Sequence, residues 1–222
     1  MKSTLRCGGV ILCGGESRRM GTSKALLPFG DEAMLERVAR LLRAEVEPIV
    51  VVAAQRQRLP PLPADIAVVR DERPSQGPLE GLRAGLSALE SVADAAYATS
   101  CDVPLLVGGV VRRMIERLGD HAIAVPFDDR FHHPLAAVYR TAAATHIERL
   151  LADGRRRPVF LFEELPTCRV PVEDLLDLDP RLDTLRNLNR PEDYFAALAA
   201  AGLPVSDDVA RSFREFRPNA SG

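Results

Sequence analysis

The sequence predicts an α/β protein, a three-layer α/β/α arrangement with a mostly parallel sheet. Three observations carry that expectation. Apolar runs of strand length alternate with amphipathic segments in the order strand, helix, strand, strand, helix, strand, helix, which argues for a parallel sheet covered on both faces. The strongest runs are apolar throughout rather than at every second residue, as strands buried on both sides are. Polar residues follow directly after several of them, at the carboxyl edge where open sheets of this class bind ligands.

Taken in order, Cys7 to Cys13 is small or apolar and ends at Gly14-Gly15, which makes it the first strand. Residues 14–30 form a long loop, packed down near its end by Ala25-Leu26-Leu27-Pro28-Phe29. Gly30-Asp31 opens a helix: Asp31 suits the N-cap, and Leu35, Val38, Leu41 and Leu42 recur at helical spacing. Pro48 permits a restart, and the run Ile49 to Ala54, β-branched through its first half, is the strongest strand signal. Gln55 to Pro63 is polar and proline-rich, hence a loop. Ile66 to Val69 is a short strand ending at Arg70-Asp71. Pro78 fits the first turn of a helix whose buried stripe is Leu79, Leu82, Leu86 and Leu89. Ala95 to Ser100 is a strand that ends at Cys101-Asp102-Val103-Pro104, and an amphipathic helix follows from about Val107 to Leu118.

The second half is less regular. Ala122 to Pro126 and Leu135 to Tyr139 read as strands of a hairpin across Phe127-Asp128-Asp129-Arg130. Thr141 to Ala152 and Val159 to Leu165 are helical, and Cys168-Arg169-Val170 is a short strand. Leu185-Arg186-Asn187-Leu188-Asn189 resembles a closing strand, before a final helix that Pro191 starts.

Length and composition bound the rest. The 222 residues suit one domain, expected over residues 1–203, with a polar and partly disordered tail over 204–222. A net charge of −2 excludes polyanion binding by overall charge, so no nucleic-acid partner is expected. No run of about 18 apolar residues is present to span a membrane. With no leader sequence apparent, the expected location is the cytoplasm. Cys7, Cys13, Cys101 and Cys168 are scattered without a CxxC pair, which favours buried free thiols over a zinc site or disulfides.

Several constellations carry chemistry. The run Val10 to Cys13 meets Gly14-Gly15, then Glu16-Ser17-Arg18-Arg19-Met20-Gly21 and Lys24. This is neither the dinucleotide nor the P-loop fingerprint. A strand ending in two glycines is by itself only a tight turn. With Ser17, Arg18, Arg19, Gly21 and Lys24 added, phosphate binding is the better reading, because backbone N–H groups in such a loop form an anion-binding concavity. Asp102 after a strand is ordinarily a helix N-cap. With Asp71 at the same edge it gains a second reading, since magnesium takes one or two carboxylates together with phosphate oxygens. Gly77-Pro78-Leu79-Glu80-Gly81 is either a plain helix start or a border of the nucleotide. His132-His133-Pro134 reads as a surface turn with one histidine free for a ligand. Arg155-Arg156-Arg157 reads as a solvated run or a docking patch for a phosphorylated substrate. Asn187 and Asn189 have the spacing of one strand face.

Leu12-Cys13-Gly14-Gly15-Glu16-Ser17-Arg18-Arg19-Met20-Gly21-Thr22-Ser23-Lys24 resembles the LAGGxSxRMGxxK signature of NTP transferases. Gly77 to Gly81, Cys101 to Pro104, His133-Pro134 and Asn187 to Asp193 recur in order with it, and the set resembles the MobA-like molybdenum cofactor guanylyltransferases over roughly residues 8–200. The resemblance implies a Rossmann-like nucleotidyltransferase fold. It also implies transfer of GMP from GTP to molybdopterin-bound molybdenum cofactor with release of pyrophosphate. On matching positions, Lys24 would contact phosphates with help from Arg19, and Asp102 would hold Mg²⁺. Leu12, Cys13, Gly14, Gly15 and Asp71 would border the nucleotide. His133 would lie near the pterin substrate, and Asn187 and Asn189 near the metal and phosphates. Other cofactor-biosynthesis proteins or recipient molybdoenzymes are the further partners it implies. Ala53-Ala54-Gln55 replaces an asparagine-containing segment expected near the base. CTP-dependent cytidylyl transfer, sugar-phosphate nucleotidyl transfer and a non-catalytic nucleotide- or cofactor-binding role are the alternatives.

Overall fold

A computed structural model describes residues 5–13, 23–71 and 77–205. Gly14, Gly15, Arg19 and nearly all of the 204–222 tail lie outside the described residues.

The expected apolar runs become the strands of one sheet. They are β1 (Cys7–Leu12), β4 (Ile49–Ala54), β5 (Ala67–Asp71), β6 (Ala95–Ser100), β7 (Ile123–Asp128), β9 (Ala137–Arg140) and β10 (Thr167–Pro171); β8 (Phe131–His132), where a surface turn was expected, joins them. The order across the sheet is β10-β7-β9-β6-β1-β4-β5, with β8 added to β7. β6, β1, β4 and β5 run parallel, and β10 runs parallel to β7. β9 is antiparallel to both of its neighbours, so it enters between β7 and β6 as the one reversed strand of the main path. The expected pairing across the turn is present, with Ile123 opposite Tyr139 and Ala124 opposite Val138.

Helices α1 (Met34–Arg43), α2 (Pro78–Leu89), α3 (Gly108–Leu118), α4 (Ala143–Ala152), α5 (Val159–Glu164) and α6 (Pro191–Ala200) complete the layers. The odd residues of β1 and β6 (Ile11, Tyr97) face the helices α1 and α3, in a cluster with Leu35, Val38, Leu42, Val110 and Met114. The even residues (Val10, Leu12, Ala96, Ala98) face α2 and α4, with Leu82, Leu86, Ile147 and Leu150. α2 lies close to the sheet because Gly85 faces it: a methyl group there would stand 2.4 Å from Val10 Cγ1.

Two expectations are corrected. Asp31 does not cap α1. Pro28–Phe29 and Glu32–Ala33 form a two-residue ladder, β2 and β3, and Gly30-Asp31 is its turn, with Gly30 at φ 70°. Ala33 is the N-cap, and its backbone N–H donates to the Glu36 carboxylate at 2.6 Å. Leu185 to Asn189 is not a strand. Asp183–Leu185 is a 3₁₀ turn, and the next backbone groups have partners outside any sheet. Leu188 N–H donates to Asp102 O at 3.0 Å, while Asn189 and Arg190 N–H donate to the Asp193 carboxylate at 3.1 and 2.9 Å. Amides engaged in this way are not available to a ladder.

A third apolar cluster explains why this segment lies where it does. Leu27, Phe29 and Met34 pack with Leu188, Tyr194, Ala197 and Leu198. The Tyr194 hydroxyl donates to Pro28 O. α6 is thereby fastened to the residues just after Lys24.

Candidate functional site at the carboxyl edge of the sheet

β1 ends with Leu12 and Cys13, both buried. Its neighbour β6 ends at Ser100, and Asp102 follows, 5% exposed. Lys24 begins a short 3₁₀ turn, Lys24–Leu26, which the burial of Ala25 and Leu27 anchors. Its ammonium reaches back over the edge of the sheet. Nζ stands 2.6 Å from Asp102 Oδ2 and 2.9 Å from Asn189 Oδ1. The other carboxylate oxygen, Asp102 Oδ1, accepts from the Ser100 hydroxyl and, at 3.2 Å, from Asn187 Nδ2. Lys24, Asp102, Asn187 and Asn189 therefore come together in the structure, with the asparagines on irregular chain.

Ser100 and Asn187 fix the plane of the carboxylate and leave Oδ2 to the Lys24 ammonium. Two hard oxygens, Asp102 Oδ2 and Asn189 Oδ1, bracket a cation, here the lysine's own. Among the described residues no group of three or more His, Cys, Asp or Glu side chains could hold a metal. A divalent ion at Asp102 would have to complete its shell from phosphate oxygens and water, which suits a hard ion such as magnesium.

The other predicted residues share the edge without joining this cluster. Asp71 is the last residue of β5 and pairs in register with Ala54 of β4. β5 is three strand spacings from β6, roughly 14 Å. Asp71 and Asp102 thus flank the end of β1 from opposite sides, so the expected pairing of the two aspartates is not formed; the side chains beside Asp102 are Lys24, Ser100 and Asn187. His133 Nε2 lies 3.3 Å from Asp128 Oδ2 at the end of β7, on the far side of β9. His132 is wedged between Phe127 and Phe162, and its Nε2 accepts from Arg169 Nε at 3.1 Å. Burial, then the Arg169 charge, pushes its pKa below the usual histidine value, in keeping with that acceptor role. Arg155 is engaged with Glu164 and lies over the Phe160 ring. Glu80 is fully buried and holds Arg83 through two hydrogen bonds of 3.0 and 2.7 Å; Arg83 also reaches Glu148 of α4. α2 does begin at Pro78, with Gly77 at φ 79° before it.

All four cysteines are free thiols, with Cys13 and Cys101 buried and Cys7 and Cys168 half-buried. Hydrogen bonding to the Cys101 thiol beside it and burial hold Cys13 well above the usual thiol range, so it lines the end of β1 as a neutral group.

Two contributors were missed by sequence reasoning. Ser100 had a signal, its position two residues before Asp102 on an extended chain. Gln57 had none. It sits in a proline-rich loop, yet Nε2 donates to Cys13 O at 2.9 Å and reaches Ser23 Oγ at 3.4 Å.

Comparison with known proteins shows the family and the fold. The model of the MobA-like NTP transferase domain matches residues 9–167. A protein of Mycobacterium ulcerans named "Probable molybdenum cofactor guanylyltransferase" is 39% identical over 190 residues, covering 82% of this chain and 92% of its own. One of the same name from Methanothermobacter thermautotrophicus is 35% identical over 191 residues, covering 82% and 94%. The crystal structure of molybdopterin-guanine dinucleotide biosynthesis protein A from Archaeoglobus fulgidus has the same fold. It superposes with a TM-score of 0.71 at 23% identity, covering 89% of this chain and 99% of that one.

Proposed function

We propose that this chain, which belongs to the MobA-like NTP transferase family and is a nucleotidyltransferase, transfers GMP from GTP to molybdopterin-bound molybdenum cofactor. The product is molybdopterin guanine dinucleotide cofactor, and pyrophosphate leaves. The observation that carries the reading is the convergence of Lys24, Asp102, Asn187 and Asn189 beside the end of β1.

In this reaction an oxygen of the cofactor's terminal phosphate forms a bond to the α-phosphorus of GTP, and the bond to the bridging β-phosphate oxygen breaks. A phosphate monoester with a second pKa near 6 is already largely deprotonated at neutral pH, so the protein need not supply a base. Positioning and charge stabilisation are what remain to be supplied. Lys24 exchanges its contact with Asp102 for the triphosphate and stabilises charge developing on it, with Arg19 assisting. Asp102, oriented by Ser100 and Asn187, would hold Mg²⁺. The ion would supply neutralisation of the phosphate oxygens. Asn189 keeps Lys24 in place from the opposite side. Leu12, Cys13, Gly14, Gly15 and Asp71 border the nucleotide, and His133 stands on the same edge for the pterin.

The test is a panel of GTP, CTP, ATP and UTP with molybdopterin cofactor and Mg²⁺, scored by pyrophosphate and product mass. Turnover with GTP is expected. A preference for CTP overturns the guanylyl assignment, and pyrophosphate from none of them favours a binding protein. Asp102→Ala should lower the rate by about a hundredfold or more. Unchanged turnover in that variant removes the metal-site assignment.

A further inference from the structure

The end of β1, the end of β4 and the residue before Lys24 meet at one side chain. Gln57 Oε1 accepts from Ala54 N–H at 3.2 Å. The same carboxamide's Nε2 donates to Cys13 O at 2.9 Å and toward Ser23 Oγ at 3.4 Å. A carboxamide has two N–H donors, and here both are turned to the protein. The backbone of Gln57 is held as well. Its N–H donates to Ala54 O at 3.1 Å, and its carbonyl accepts from the Arg70 guanidinium at 2.8 Å. The same guanidinium nitrogen donates to Ala54 O at 3.0 Å.

We propose that Gln57 is a positioning residue for nucleotide binding: it ties Cys13 and Ser23 to the end of β4 and so fixes where Lys24 stands. The proposal rests on the nucleotidyltransferase reading of the site. Cys13 and Ser23 flank positions 14–22 in the sequence, and a single amide fixes one point on either side of them. Ser23 precedes Lys24, whose ammonium meets Asp102 at 2.6 Å. A line of contacts therefore runs from Arg70 on β5, beside Asp71, through Gln57 and Ser23 to Lys24 and Asp102 beyond β6. It links the side of the site assigned to the nucleoside with the side assigned to the metal. Because its donors are occupied, Gln57 acts on the nucleotide through these residues and not by reading the base.

The loop that carries Gln57 has its own anchors. Leu59 and Leu62 pack on the core and Ile66 is buried in it, so removing the half-exposed Gln57 carboxamide leaves that packing in place. This makes the proposal separable from a role in folding. Gln57→Met keeps the length of the side chain and removes both donors. Gln57→Glu keeps an acceptor for Ala54 N–H and removes the donors. Each full-length variant is compared with the parent in GTP affinity by calorimetry, in kcat/KM for pyrophosphate release with molybdopterin cofactor, and in melting temperature. Loss of one or two hydrogen bonds that position the site is expected to weaken GTP binding about tenfold in Gln57→Met. The value of kcat/KM should fall by at least that factor, with the melting temperature nearly unchanged. Unchanged GTP affinity in both variants overturns the proposal, as does a large fall in melting temperature with affinity intact. A parent protein that binds GTP but releases no pyrophosphate overturns the transferase reading instead. The affinity comparison still decides the role of Gln57.

Discussion

At the scale of single residues, the chemistry of the site rests on how a carboxylate is held. Asp102 is nearly buried, and its Oδ1 is committed to Ser100 and Asn187. Without those donors only Lys24 would hold the carboxylate against rotation about its terminal torsion, which has no sharp staggered preference of its own. Groups of this kind behind a metal ligand change metal affinity by about 10- to 100-fold when removed. Ser100→Ala is therefore expected to raise the Mg²⁺ concentration for half-maximal activity by about tenfold, with kcat at saturating Mg²⁺ little changed. A magnesium titration of both proteins checks it, and an unchanged midpoint would show that Asn187 alone suffices. Asp102 itself was legible because it follows a central apolar strand. The asparagine pair was singled out by the family resemblance, while its spacing alone suggested a strand face that does not exist. Gln57 was not legible, because its partners lie 44 and 34 residues away and a polar residue in a proline-rich loop has no periodicity.

At the scale of elements, the close approach of α2 to β1 sets the position of the strand that ends in the site. Gly81 and Gly85 are one turn apart and both face β1 residues, Leu12 and Val10. Gly85→Ala would place a methyl group 2.4 Å from Val10 Cγ1 and 3.2 Å from Val52 Cγ2, inside a packed core. Overpacking of this kind costs about 1–3 kcal/mol, and denaturant unfolding should register that loss. The strands around this contact could be read directly, because Ile49 to Ala54 and Ala95 to Ser100 are continuous apolar runs of strand length. Helix boundaries were readable where a proline marked them, at Pro78 and Pro191. The start of α1 was not. A two-residue ladder around Gly30 moved the cap from Asp31 to Ala33, and so short a pairing leaves no pattern in sequence. The reversed strand β9 was visible as half of a hairpin. Its place between β7 and β6 was not, since sheet order is decided by long-range packing and not by local periodicity.

At the scale of the whole molecule, the three apolar clusters have different tasks. Two cover the faces of the sheet. The third joins α6 and Leu188 to the segment after Lys24, and so holds Asn187 and Asn189 against Asp102 and Lys24. Tyr194→Ala should open this cluster while leaving the sheet intact. Removing a buried aromatic costs about 3–5 kcal/mol, here borne by one region of the fold. Hydrogen exchange should quicken in α6 and around Phe29 while β6 stays protected, and nucleotidyl transfer should fall. Equal loss of protection throughout would instead mark α6 as inseparable from the core. The contact between Lys24 and Asn189 spans 165 positions of sequence. A ribosome delivers its chain from the amino end, so β1, Lys24 and Asp102 emerge long before the residues that complete their surroundings. A nascent chain therefore holds its signature loop well before Asn187 and Asn189 are available, and a chain stopped short of them is expected to be inactive in the transfer proposed above.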